Sequence, residues 1–352
     1  MKKTKVLPKL LTLAVLSALL FVTVMAQILK TNYNIGAAIM NPLYSVGDIS
    51  TEPNLKVAFI GDTGGGQNFS AVLQLIKSEG ATLIVHQGDI GYDEKYKGWV
   101  NAINRTLGSN FPYFMSEGNH DRSQWGDILN PCNPPVSTYA NFIRCRLNSM
   151  NATANFDGSI NRYSVEYKGL KLVFLGDPPN QTAYTEFINR ELSGDNHTWK
   201  ICSWHRNQRA TNVDSEGDKV GWDPYEACRQ QGAIVAQGHS HTYSRTKTLN
   251  SSKTQSIDTL CLDNPDTPDA DVCVSKGSSF IFDSSIGGKN IRAQNDIWAG
   301  KSYWAKVYTL TQNAKFGALF IEFNVDGHPN KARAYFKNIA NQTIDGFEIM
   351  AK

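Results

Sequence analysis

Short apolar runs, each closed by glycine and a polar residue, dominate the middle of the chain. Residues 57–60 run into Gly61-Asp62, 82–85 lead to Gly88-Asp89, and 111–115 lead to Gly118-Asn119-His120-Asp121. Further on, residues 170–175 run into Gly176-Asp177, 199–202 into His205, and 233–236 into Gly238-His239. Runs this short, rich in β-branched and aromatic residues, are the pattern of strands buried on both faces. Between the first two, Val72, Leu73, Leu75 and Ile76 fall near helical spacing before Gly80, and a second helix is predicted over 99–107. Strand–helix–strand order predicts parallel strands in an α/β layered domain. After Gly277 the pattern turns to strands alone, at 280–282, 307–310, 319–325 and 332–336. A mixed sheet or β-sandwich with helices outside fits that order.

The N-terminus carries a different pattern. Lys2, Lys3, Lys5 and Lys9 precede an apolar run over 10–26, and Val24 and Ala26 place small residues before Gln27. The expectation is a signal peptide over 1–26, with an uncleaved anchor as the alternative and the one route to a membrane. Residues 27–53, with Pro42 and Pro53 and no clear period, read as a linker, leaving 54–352 as one large domain.

Composition narrows the function classes. An apolar fraction of 41% with 11% aromatics excludes a disordered chain. The 35 basic and 32 acidic residues are interspersed, so a nucleic-acid binder held by charge is excluded. Six cysteines (132, 145, 202, 228, 261 and 273) form an even set with no C-x-x-C pair. That argues for disulfides in an exported protein, with pairing of sequence neighbours the simplest of the open connectivities. N-x-[ST] triplets begin at Asn68, Asn104, Asn151, Asn180, Asn196, Asn250 and Asn341, which makes a secreted glycoprotein the expectation wherever the host glycosylates its exports.

The candidate chemistry lies at the strand ends, where α/β layers bind their ligands. Asp62, Asp89, Asn119, His205, His239 and His241 each follow an apolar run, and four of the seven histidines (120, 205, 239 and 241) fall in these clusters. A single Gly-Asp turn is ordinarily a helix cap. Five such clusters carrying carboxylates, an amide and imidazoles point instead to a metal pair. Carboxylates bridge cations, imidazoles favour borderline transition metals, and two adjacent cations suit phosphate-ester hydrolysis.

Gly61-Asp62-Thr63-Gly64, Gly88-Asp89-Ile90-Gly91-Tyr92, Gly118-Asn119-His120-Asp121, His205 and Gly238-His239-Ser240-His241 resemble the five blocks of the calcineurin-like metallophosphoesterases. They stand in that family's order and span most of residues 56–246. The purple acid phosphatase branch is the nearest pattern, because Gly64 replaces the usual first-block histidine and Tyr92 stands where that branch uses a tyrosinate. The resemblance implies a four-layer α/β/β/α sandwich of two mixed sheets flanked by helices. It also implies Fe(III) held by Asp62, Tyr92 and His241, with Asp89 bridging to a divalent iron, zinc or manganese held by Asn119, His205 and His239. The implied reaction is acid phosphatase hydrolysis of small phosphate monoesters. A metal-bound hydroxide attacks phosphorus and His120 orients the phosphate and protonates the leaving group. Where the branch commonly has proline after the fourth-block histidine, this chain reads Arg206-Asn207, and these two are expected to take over phosphate contact alongside Asn119 and His120. The alternatives are a phosphodiesterase or nucleotidase, or a catalytically weak phosphate-binding protein on the same scaffold.

Rival motifs are weaker. Asp62-Thr63-Gly64 spells an aspartic-protease triplet, but the nearest second copy, Asp283-Ser284-Ser285, lacks the glycine needed for a dyad. Gly64-Gly65-Gly66 has no Gly-Lys-[Ser/Thr] after it. The acidic loop from Asp263 to Asp271 lacks the glycine and terminal glutamate of a calcium-binding EF-hand and reads as a solvated, disulfide-closed loop. Trp298, Tyr303 and Trp304 read as packing rather than as a substrate pocket, and His86 as a strand residue.

Overall fold

The computed structural model describes residues 51–352 apart from 93–95, 128–131, 133–135, 151, 159–160, 218 and 262–270. The expected signal peptide, nearly all of the linker and most of the acidic loop lie outside the described residues. The unit from Ser50 to Lys352 opens with β1 (Leu55–Ile60), α1 (Gln67–Ser78), β2 (Leu83–His86), α2 (Tyr96–Leu107) and β3 (Tyr113–Met115). There follow α3 (Arg122–Trp125), α4 (Tyr139–Asn148), β4 (Thr153–Phe156), β5 (Arg162–Tyr167), β6 (Leu170–Leu175), α5 (Gln181–Leu192) and β7 (Trp199–Trp204). Next come α6 (Asp223–Gln230), β8 (Ile234–Gln237), β9 (Tyr243–Thr246), β10 (Leu249–Ser251), β11 (Ser256–Ile257), β12 (Val272–Val274) and β13 (Ile281–Ser284). The chain closes with α7 (Asp296–Ala299), β14 (Trp304–Tyr308), β15 (Gly317–Phe323), β16 (Lys331–Asn338) and β17 (Thr343–Ala351).

Two mixed sheets carry the fold. One has the order β12-β17-β16-β15-β1-β2-β3, the other β14-β9-β13-β8-β7-β6-β5-β4. The predicted parallel core is present in both: β1, β2 and β3 run parallel, as do β6, β7, β8 and β13. The late strands form an antiparallel flank on β1. Face to face, the sheets meet through Phe59 against Phe282, Phe114 against Phe174, and Trp199 against Phe323.

Strand alternation separates two cores. On β6, Leu170, Leu172 and Phe174 face the first sheet, whereas Val173 and Leu175 join Tyr184, Phe187 and Ile188 of α5. On β7, Trp199 and Ile201 face inward, while Cys202 and Trp204 face the helices. Helix α1 buries Phe69, Val72, Leu73, Leu75 and Ile76 on one stripe. Helix–sheet–sheet–helix is thus the architecture, in agreement with the four-layer expectation.

The sequence-neighbour pairing of the cysteines is also present: Cys132–Cys145, Cys202–Cys228 and Cys261–Cys273. The second of these joins β7 to α6. Tyr303 and Trp304 are buried in the helix-side core, and Trp298 lies under the Arg209 guanidinium. Among the described residues, no helix is long and apolar enough to cross a membrane.

Candidate metal centre

The carboxyl ends of β1, β2 and β3 in one sheet and of β7 and β8 in the other open onto one site. Asp62, Asp89, Asn119, His205, His239 and His241 each stand one to four residues beyond a strand's end, the crevice position at which such layers hold ligands. Asp62, Asp89, His239 and His241 all leave their strands with left-handed backbone, φ being 53°, 58°, 76° and 52°. For residues other than glycine such angles cost about 1–3 kcal/mol each and persist only where surrounding contacts enforce them. Glycine is required beside them. A Cβ on Gly238 would lie 2.8 Å from the Gln87 carbonyl and 3.1 Å from both Asp62 Oδ2 and His205 Nδ1. A Cβ on Gly118 would collide with the backbone and carboxylate of Asp89.

Six of the seven expected ligand side chains meet in two groups. In the first, Tyr92 Oη lies 2.8 Å from Asp62 Oδ1 and 3.0 Å from His241 Nε2, which is itself 3.2 Å from Asp62 Oδ1. In the second, Asp89 Oδ2 is 3.2 Å from His205 Nε2, which faces His239 Nδ1 at 3.1 Å. The Asp89, His205 and His239 donor atoms all fall within 4.8 Å of one another. The seventh, Asn119, keeps its Oδ1 buried without a hydrogen-bond partner. The two groups are tied together, because Asp62 Oδ2 accepts from the His239 backbone N–H at 2.8 Å.

The imidazoles are oriented from behind. His205 Nδ1 donates to the Gln87 carbonyl at 2.8 Å, and His241 Nδ1 lies 3.2 Å from the Asn290 carbonyl. A carbonyl can only accept, so each Nδ1 carries a proton and each Nε2 is the nitrogen turned inward, the one available to a metal ion. Electrostatics agree with a place kept for cations. Burial alone would depress His205, yet the Asp89 and Asp62 carboxylates push it up to about 10. Burial, then the neighbouring His205, push His239 down to about 2. Burial raises Asp62, while the charge and hydrogen bond of His205 overcome burial and lower Asp89. Burial and the Asp62 and Asp89 charges hold the Tyr92 phenol far above its ordinary value. Two carboxylates, three imidazoles, a phenol and an unpartnered amide oxygen, converging at near-contact distances, fit a pair of metal ions.

His120 stands at the edge with its side chain 50% exposed, its ring centre 4.6 Å from that of Tyr92 and its Nε2 3.9 Å from Asp89 Oδ2. Its backbone N–H donates to Asp89 Oδ1 at 2.9 Å. Arg206, next to His205, is tied to buried Asp177 through Nε at 2.6 Å. Asn207 lies differently from the expected phosphate contact: it is buried and donates to Asp283 Oδ2 at 2.8 Å.

Sequence reading gave no role to several buried residues that hold this arrangement. Asp121 accepts backbone N–H groups from Asp89, Ile90, Gly91 and Gly118 at 2.7–2.9 Å, so one carboxylate pins two ligand loops. Asp283, the residue that resembled half of a protease dyad, accepts from Ser240 and Asn207 beneath the His239–His241 turn, and burial raises its carboxyl well above the ordinary range. His86 bridges Thr63 Oγ1 and the Gly88 N–H, and burial drives it down to about 3, leaving a neutral ring. The only signal for Asp121 was its place in Gly-Asn-His-Asp, and three of its four partners, Asp89, Ile90 and Gly91, lie 30 to 32 residues upstream.

Comparison with known proteins follows the same residues. The pattern for calcineurin-like phosphoesterases matches residues 55–243. Among solved structures, purple acid phosphatase PPD1 from yellow lupin (Lupinus luteus) superposes with a TM-score of 0.54 at 15% identity, over 86% of this chain and 55% of that one. This chain therefore spans about half the length of the lupin protein. PhoD superposes with a TM-score of 0.51 at 11% identity, over 83% of this chain and 67% of that one. No curated protein sequence matches the chain.

Proposed function

The chain belongs to the calcineurin-like phosphoesterase family, and from that premise we propose that it is an exported, binuclear metal-dependent acid phosphatase acting on small phosphate monoesters. The observation that carries this reading is the Tyr92 hydroxyl between Asp62 Oδ1 and His241 Nε2, at 2.8 and 3.0 Å. A phenol in that place suits a trivalent ion, since high charge stabilises the phenolate that burial and two carboxylates otherwise oppose. Asp62, Tyr92 and His241 would hold Fe(III). Asn119, His205 and His239 would hold divalent iron, zinc or manganese, with Asp89 shared between the two sites.

Such a metal pair, when bound, supplies Lewis acidity to the phosphoryl oxygens and lowers the pKa of water. The chain's own residues do the rest. Asp121 fixes the Asp89 loop and Gln87 fixes the His205 ring, so the donors are placed before substrate arrives. His120, exposed beside Asp89, orients the phosphate and delivers a proton to the departing alcohol oxygen. Arg206, held by Asp177, stands beside His205 on the substrate side of the site, and Asn207 acts through Asp283 on the His239–His241 turn.

Three disulfides fit an oxidising compartment, which supports secretion. Membrane attachment would require retention of residues 1–26. The testing experiment is a pH–rate profile on one monoester and one diester. Monoester preference with an optimum below pH 7 is expected; diester preference at alkaline pH would overturn the acid-phosphatase reading.

A further inference from the structure

Building on the reading of this site as a phosphate-ester centre, we propose that Arg122 and Arg206, clamped by Asp177, form a second anion subsite. It selects phosphate monoesters that carry a further phosphate group beside the one cleaved.

The placement follows from the sheet. Strands β6 and β7 pair with Leu175 opposite Trp204, so Asp177 and Arg206 each stand two residues beyond a paired position. Neighbouring strands lie about 5 Å apart, which puts Asp177 roughly one strand spacing from the loop that carries His205. The ends of β8, β7 and β6 therefore present His239, His205 and Asp177 in a row. From the other sheet, Arg122 reaches the same carboxylate two residues after His120, and the Asp177 N–H donates to the Glu117 carbonyl at 3.1 Å.

Burial in this cluster is lopsided. The Asp177 side chain is 1% exposed, whereas Arg122 and Arg206 are 49% and 21% exposed. Asp177 Oδ2 accepts from Arg206 Nε at 2.6 Å and Oδ1 accepts from Arg122 Nη2. Among the described residues, neither guanidinium has another hydrogen-bond or ion-pair partner. A purely structural triad would bury its cations with its anion. Here the anion alone is buried, and two forks with free donors are aimed by it beside His120 and His205. Beside Asp177 lies the Glu117 carboxyl, which burial pushes up to about 8, so below that pH one charged carboxylate faces two guanidiniums and a local positive charge remains; each remaining fork suits phosphate oxygens bidentately. Because Asp177 already restrains both side chains, little rotamer entropy is lost when an anion binds.

Calorimetric binding to the metal-loaded full chain tests this with two probes that are not hydrolysed, inorganic phosphate and methylenediphosphonate. The wild type is expected to prefer the diphosphonate by about tenfold or more, and Arg122→Ala or Arg206→Ala to bring that preference close to one. Arg122→Lys should retain part of it. Asp177→Asn adds net positive charge but frees both forks, so the preference should fall; a rise would assign the effect to charge alone and overturn the clamp. Equal wild-type affinity for both probes, or alanine variants that lose both probes in proportion, would also overturn it. Diphosphonate preference in a chain that hydrolyses no phosphate ester would leave the subsite standing and remove the enzymatic reading. A chain that binds neither probe would remove both.

Discussion

His120 differs from the buried metal-site candidates Asp62, Asp89, His205, His239 and His241 in having a half-exposed side chain, and its backbone N–H donates to Asp89 Oδ1. A group that hands a proton to a leaving oxygen needs that freedom, whereas a ligand needs the opposite. His120→Ala is therefore expected to lower kcat by about 10²–10⁴, the usual range for general acid–base catalysis. The loss should be large for alkyl phosphates and small for aryl phosphates with good leaving groups. Equal losses across leaving groups would assign His120 to binding alone. His205 offers a second check, in metal-free protein. Burial opposes its charge, but Asp89 and Asp62 raise it to about 10, so its contribution to stability is full below pH 6.5 and is lost as pH rises toward 10. Chelator-treated protein should unfold at a lower temperature at pH 9.5 than at pH 6, and His205→Gln should reduce that difference. An unchanged difference in the variant would contradict the assignment. These residues were legible in the sequence because each is a rare side chain immediately after an apolar run. The roles of Asp121, Asp177 and Asp283 were not, although Asp177 too follows an apolar run, because a buried carboxylate is explained only by partners that come together through folding.

At the scale of elements, the strands buried on both faces announced themselves as uninterrupted apolar runs, and β1, β2, β6, β7 and β8 fall within a few residues of the sequence reading. Edge strands and half-exposed helices did not. β4 reads Thr-Ala-Asn-Phe with alternating exposure, α4 and α5 have weak apolar stripes, and α6 is only eight residues long. The expected strand over 307–310 begins earlier, at Trp304, and gives way to a 3₁₀ turn over Leu310–Gln312 capped by Thr309. β9 is instructive, since Tyr243-Ser-Arg-Thr is fully buried and yet polar. Its Arg245 donates to Asp345 on β17, and Tyr243 Oη donates to the same carboxylate at 2.7 Å, joining the two sheets. Breaking such a pair by removing one partner costs about 3–5 kcal/mol. Asp345→Ala should lower the denaturation midpoint by a corresponding amount in chemical unfolding, with loss below 1 kcal/mol contradicting the role. Despite burial, Arg245 lowers the Asp345 carboxyl, so this contribution is present above about pH 4 and is lost as pH falls further.

The whole molecule brings together donors that the sequence scatters over 180 residues, from Asp62 to His241. Two parallel strand groups, one in each sheet, end at the same edge of the sandwich, and that shared edge is what turns five separate Gly-polar clusters into one site. Near-neutral charge, at +3 overall, is consistent with anions being drawn by the site rather than by a surface field. The stability of the loaded protein should depend on metal, because ligands that bind only the folded state stabilise by mass action. The most direct test of the account is metal content measured together with the visible spectrum of purified wild-type and Tyr92→Phe protein. Two metal ions per chain, and a tyrosinate-to-ferric absorption band that disappears in Tyr92→Phe, are the predicted result. A colourless wild type without bound metal, or a band that survives the substitution, would contradict it.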